Sequence, residues 1–250
     1  MLPTDILLIG EQHDAPDHQR LQGEVVLAIA RQGKLAALAL EMAESGQSTV
    51  GLPTDATEQQ VQTALAWKDA AWPWRAYGPV VMAAVRSGIL VAGANLPSNQ
   101  MRAAMVNPEL DTRLSPKALD DQRRAIRDGH CGLLPDPQIG PMTRIQIARD
   151  LTMARTAESL AEAGKTVVLV AGGGHVLSDR GVPRHLVGPW KARSLLLRAG
   201  AAAADQPDVD AMLETRPIAP VDYCEGLRQR KPATGGVPAP TARDAVPANR

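Results

Sequence analysis

Two apolar runs, at residues 6–9 and 167–171, each break into a tetrapeptide of the form Gly-x-x-His: Gly10-Glu11-Gln12-His13 and Gly172-Gly173-Gly174-His175. Each run is short, unbroken and rich in Ile, Val and Leu, the pattern of a strand buried on both faces. Helical periodicity separates such runs along the chain. Strand and helix in alternation predict an α/β fold, a mainly parallel sheet flanked by helices. Ligands of such sheets bind beyond the carboxyl ends of the strands. If the two strands are parallel neighbours, His13 and His175 reach one mouth, and the glycines allow sharp turns and close approach of a ligand.

The same reading places strands at 5–9, 35–40, 89–94, 166–171 and 194–198, with 219–222 as a further edge strand. Helices are expected over 16–32, 57–70, 79–87, 97–105, 116–128 and 142–163. The helical middle then forms an insertion covering the C-terminal ends of the strands. Residues 4–228 read as one domain. Residues 229–250 are rich in Pro and Ala, the composition of a disordered tail.

Four strands end in functional groups: Glu11 with His13, Glu41, Asn95, and His175. On the longest helix Met142, Gln146, Arg149 or Asp150, and Met153 share one stripe, which suits a wall of a semi-polar pocket. His18 is expected to face solvent. His185, in Gly-Val-Pro-Arg-His, fits either the pocket or its outside. Cys131 and Cys224 read as small buried hydrophobes, one disulfide being the alternative. His130 beside Cys131 lacks the paired spacing of a zinc site.

Lys plus Arg and Asp plus Glu each number 27, so charge offers nothing to nucleic acid or to an anionic membrane. Phenylalanine is absent and only four Trp and two Tyr are present, too few for a base-stacking platform. No stretch reaches the roughly 18 apolar residues of a membrane span. No basic-then-apolar signal segment opens the chain, so a cytoplasmic protein is the expectation unless a leader precedes these residues. No phosphate-binding loop, dinucleotide fingerprint or nucleophile elbow occurs.

Taken together, Gly10-Glu11-Gln12-His13-Asp14, Glu41, Tyr77-Gly78-Pro79, Asn95-Leu96-Pro97, His130-Cys131-Gly132, Gln146 to Asp150 with Met153-Ala154, and Gly172-Gly173-Gly174-His175-Val176 with Gly181-Val182-Pro183 resemble the ChaN-like haem-binding uptake proteins. Asp222-Tyr223-Cys224 fits the same pattern. The superfamily also holds the Tiki proteases, the TraB and PrgY proteins and the erythromycin esterases. The resemblance implies haem binding linked to iron uptake, haems held between two subunits of a homodimer, and often a periplasmic or outer-membrane lipoprotein.

Two functions follow from the same positions. As a haem protein, Tyr77, His13, His175 and His185 are candidate axial ligands, and Arg86 and Arg149 suit the propionates. Asn95, Gln146, Asp150 and Met153 would line the pocket, and Met82, Met101, Met105 and Met142 would add a flexible wall. Trp72 and Trp74 would stack on the macrocycle or pack a helix corner. As a hydrolase, Glu11, His13, Glu41 and His175 would be catalytic, with His13 and His175 holding a divalent metal.

Overall fold

Strand β1 (Ile6–Glu11) is buried along its whole length, and so is β4 (Thr166–Gly172). The computed structural model describes residues 2–200, 207–225 and 228. The expected tail over 229–250 therefore lies outside the described residues. With β2 (Leu35–Glu44), β3 (Leu90–Asn95), β5 (Ala192–Ala199) and β6 (Ala211–Thr215) these strands form one sheet, in the order β3-β2-β4-β1-β5-β6. Every neighbouring pair is parallel, where a mainly parallel sheet was expected.

The alternation of side chains along the strands explains the layers. Leu7, Ile9, Leu38, Leu40, Val168 and Val170 face one core, shared with Val26 and Ile29 of α1 (Pro16–Arg31) and with Val80, Val81 and Ala84 of α3 (Trp74–Arg86). Ile6, Leu8, Ala39, Val167 and Leu169 face the other, against Met153, Ala154 and Ala157 of α6 (Asp136–Ser159). The short helices α2 (Glu58–Ala64) and α4 (Met101–Met105), and α5 (Pro116–Gly129), complete the helical layers. Leu96, Met101 and Ala104 pack on Ile145 and Ala148 of α6, and Ala118 of α5 packs on Ile147. This is the helical insertion between β3 and β4.

The strand order also locates the site. The chain leaves β1 toward β2 on one side and leaves β4 toward β5 on the other. Connections that diverge from adjacent strands open a crevice at their carboxyl ends. Glu11 pairs with Gly172 across that crevice, so the two Gly-x-x-His segments emerge side by side.

Several element boundaries differ from expectation: α6 spans Asp136–Ser159 rather than 142–163, and β2 runs on to Glu44, so Glu41 lies within the strand rather than at its end. Residues 219–222 form no strand, and the edge strand is Ala211–Thr215; Pro217 and Pro220 remove ladder donors from the later segment. Helix α3 begins at Trp74 with Pro79 inside it, so Tyr77 is helical. Helix α2 stops at Ala64, short of residue 70.

Gly93 of β3 lies tight against the end of β2: a Cβ there would stand 2.1 Å from the Glu44 carbonyl oxygen. No rotamer relieves a clash with backbone, so Gly93→Ala is expected to destabilise the protein by about 3 kcal/mol. Urea unfolding measures it, and an unchanged midpoint would refute this account.

Candidate functional site

Glu11 ends β1 with no exposure, and four groups converge on its carboxylate. Tyr77 donates its hydroxyl to Oε1 at 2.5 Å, and the side-chain amides of Gln22 and Gln19 donate to Oε2 at 2.6 and 2.9 Å. His13 Nδ1 lies 2.7 Å from Oε1. Because its other neighbours are all donors, Glu11 acts as acceptor and His13 carries its proton on Nδ1. The opposite nitrogen, Nε2, has no hydrogen-bond partner among the described residues and faces Gly172, where an added Cβ would stand 2.9 Å from it. Burial opposes charge on this ring, but the Glu11 hydrogen bond and the field of Glu41 outweigh it, so the pKa is raised.

The second histidine is placed differently. His175 is buried in the 3-10 turn that follows β4, with Nδ1 2.5 Å from Asp150 Oδ1 and Nε2 3.4 Å from Glu41 Oε1. The Gln146 amide sits 3.1 and 3.3 Å from its two ring nitrogens. Glu41 Oε2 accepts the Gly172 N–H at 2.7 Å, while Oε1 has only the ion-pair contact. Burial disfavours the charged ring, yet Glu41 and Asp150 push its pKa up to about 10. Burial raises Asp150 to about 6. Glu41, despite its burial, is held well below the usual carboxylate range by His175 and His13. At neutral pH the centre is an imidazolium between two carboxyl groups.

Two open recesses meet at His13. One, of about 930 Å³, is lined by Leu27, Trp72, Pro73 and Tyr77, with Arg20 and Arg75 also in its wall. The His13 and Trp72 rings meet edge-on with centroids 4.8 Å apart. The other, of about 720 Å³, is lined by Glu41, Gln146, Gly172 and His175. His13 and Tyr223 border both.

Of the expected site residues, the structure brings together Glu11, His13, Tyr77, Glu41, Gln146, Asp150 and His175. Arg149 is buried beside Asp150 and lines neither recess. Arg86 lies at the far end of α3, and the Asn95 side chain is used on the Leu96 N–H, so neither reaches a recess. His185 is buried away from both, its pKa lowered to about 4 by burial. Met153, Met82 and Met101 are core, and Met105 and Met142 pack beside them. Trp72 lines a recess, whereas Trp74 packs the start of α3 and donates to Glu58.

Two expectations are corrected. His18 is fully buried: Nδ1 accepts the Gln12 N–H at 2.9 Å and Nε2 donates to Thr215 at 3.0 Å, which leaves no room for solvent. Cys131 and Cys224 are joined in a disulfide across 93 residues. Gln19, Gln22 and Tyr223 were not among the expected site residues. His18, Gln22, Val26 and Ile29 recur at helical spacing on the buried stripe of α1, a pattern that marks Gln22 as inward-facing.

Among the described residues no group of three or more His, Cys, Asp or Glu side chains is arranged to hold a metal ion. No helix among them is long and apolar enough to cross a membrane.

No curated protein matches this chain. A solved structure described as cofacial heme binding to ChaN of Campylobacter jejuni is similar, with a TM-score of 0.64 and 22% identity over 82% of this chain and 86% of that one. The type III effector HopBA1 is similar with a TM-score of 0.50 and 15% identity, over 86% of this chain and 88% of that one. Both likenesses establish the α/β fold. The model of a family described as haem-binding uptake, Tiki superfamily, ChaN matches residues 1–186. The chain belongs to that haem-binding uptake family.

Proposed function

We propose that this protein binds haem in the apolar recess beside the ends of β1 and β4, with His13 Nε2 the atom offered to iron. The observation that carries this reading is the His13–Glu11 pair. A carboxylate on Nδ1 fixes the ring and its tautomer and makes Nε2 a better donor to a metal, the arrangement that supports metal-bound histidines generally. The other candidates are less suited. The Tyr77 hydroxyl is given to Glu11, and burial raises its pKa far above the ordinary value. Both ring nitrogens of His175 are engaged, and His185 is outside the recesses.

Haem brings an iron that accepts an axial nitrogen and a wide apolar face. Trp72, Pro73 and Leu27 would cover part of that face, and Arg20 and Arg75 would meet the propionates. This replaces Arg149 and Arg86 in that role. Binding would displace the second proton of His13, so affinity falls as pH drops through the raised pKa of the ring.

The Campylobacter protein is described as binding haem cofacially. The same mode here would bury the remaining haem face in a homodimer, in the service of iron uptake. The metal-dependent hydrolase reading has no arrangement of donors of comparable quality behind it.

Titration with haemin tests the proposal. A Soret shift with the wild-type protein, and about 100-fold weaker binding by His13→Ala, are expected. No Soret change with the wild type would refute haem binding, and full affinity in His13→Ala would refute His13 as ligand. Sedimentation with and without haemin tests the dimer; a monomer in both conditions would exclude it.

A further inference from the structure

The segment after β6 returns across the mouth of the site and is tied there at both ends. Arg216 pairs with Asp17 through two contacts of 2.9 Å, and Thr215 meets His18 at 3.0 Å. At the other end Tyr223 donates to Asp14 at 2.6 Å and accepts from Gln12 at 3.1 Å. These partners all lie on the turn after β1 or on the first turns of α1, beside His13. Tyr223 is 41% exposed and lines both recesses. Its immediate neighbour Cys224 is bonded to Cys131, just beyond the end of α5, and both cysteines line the polar recess.

We propose that the Cys131–Cys224 disulfide is a thiol-sensitive latch that holds Tyr223 at the rim common to both recesses, so that its reduction frees this segment and loosens whatever the recess retains. Three observations carry it. The bridge joins the helical insertion to the returning segment, covalently linking two parts of the chain that both border the polar recess. The non-covalent ties of Tyr223 are hydrogen bonds at the surface, which compete with water and hold weakly alone. Cys131 is partly exposed whereas Cys224 is buried, so a reductant reaches the bridge from the Cys131 side.

The chemistry balances with a dithiol reductant. Its thiolate attacks Cys131 Sγ, the S–S bond breaks, and Cys224 leaves as a thiolate that takes a proton. The second thiol of the reductant then displaces Cys131, so two electrons pass to the protein and the reductant becomes a disulfide. A covalent tie closing a long loop is lost, and the segment gains the freedom that the tie had removed.

The haem part of this inference rests on the reading above, and the experiment separates the two. Hydrogen–deuterium exchange and haemin dissociation are compared between oxidised wild type and Cys131→Ser/Cys224→Ser, with no reductant present to act on the iron. The double variant is expected to exchange at 216–224 at least tenfold faster, with β1 and β4 unchanged, and to release haemin several-fold faster. Tyr223→Phe, with the bridge intact, is expected to release haemin faster while its segment stays protected. Equal protection of the segment in bridged and unbridged protein overturns the latch, and so does equal haemin release with a loosened segment. Failure of both proteins to bind haemin overturns the haem reading alone, because the exchange data then decide the latch.

Discussion

Replacing His175 by glutamine is expected to destabilise the protein by about 3–5 kcal/mol, the usual consequence of removing one partner of a buried ion pair. Glu41 and Asp150 are 1% and 2% exposed, and His175 is the cation between them. Without it, two carboxyl groups share a site that water does not reach. One would take up a proton, Asp150 first, since burial already raises it to about 6. That relief is partial, because Glu41 keeps only the Gly172 N–H. The pH dependence is the sharper signature. His175 titrates at about 10 in the fold against 6.5 when free. Its stabilisation is complete below pH 6.5 and is lost as pH rises toward 10. Asp150 acts in the same direction at lower pH: raised from 3.8 to about 6, it loses its contribution between those two values and adds no slope above them. Glu41, depressed below its ordinary value, contributes above the carboxylate range and is lost in acid. Wild-type stability should therefore decline from pH 6.5 to 10, and His175→Gln should remove most of that slope. Urea unfolding at three pH values across the window decides it. A variant as stable as the wild type, with the same slope, would show that the ring is not charged in the fold.

The centre of the sheet was legible because its signal is one-dimensional. An unbroken apolar run followed by glycine states a buried strand and its end without reference to any partner, and 6–9 and 167–171 both do so. What that pattern does not carry is adjacency. That β4 inserts between β2 and β1, setting Gly172 opposite Glu11, depends on crossover handedness and packing. Polar residues were harder to read for a related reason. His18 looks like a solvent-facing histidine because its acceptor contact is a main-chain N–H and its donor contact lies 197 residues away. The cysteines, 93 residues apart, give no local sign of pairing. Pro79 reads as a helix start since proline favours the first turn, yet the helix begins at Trp74, and only that earlier start places Tyr77 over Glu11. In each case the missing information was a contact between distant parts of the chain.

Substitution at Glu11 should be as damaging as at His175, for a different reason. Its carboxylate is the common acceptor for Tyr77, Gln19, Gln22 and His13, all of them wholly or largely buried except the His13 ring. Glu11→Gln replaces one acceptor oxygen by an amide that itself donates. Whichever way that amide turns, it confronts a donor, so at least one buried group loses its partner. An unsatisfied buried donor costs about 1–3 kcal/mol; counting the clash of donors as well, the expected loss is about 3 kcal/mol, or roughly 6–12 °C in Tm for a chain of this size. Tyr77→Phe removes one donor and leaves the others paired, so it should cost about 1 kcal/mol. Glu11→Ala orphans all four and should cost the most. Thermal unfolding of the three variants gives the order Ala, Gln, Phe from worst to mildest. An equal effect of Glu11→Gln and Tyr77→Phe would mean that the network can turn its amides to compensate. In that case the carboxylate does not set the His13 tautomer, and the ring nitrogen facing Gly172 is no longer fixed as the donor proposed for iron.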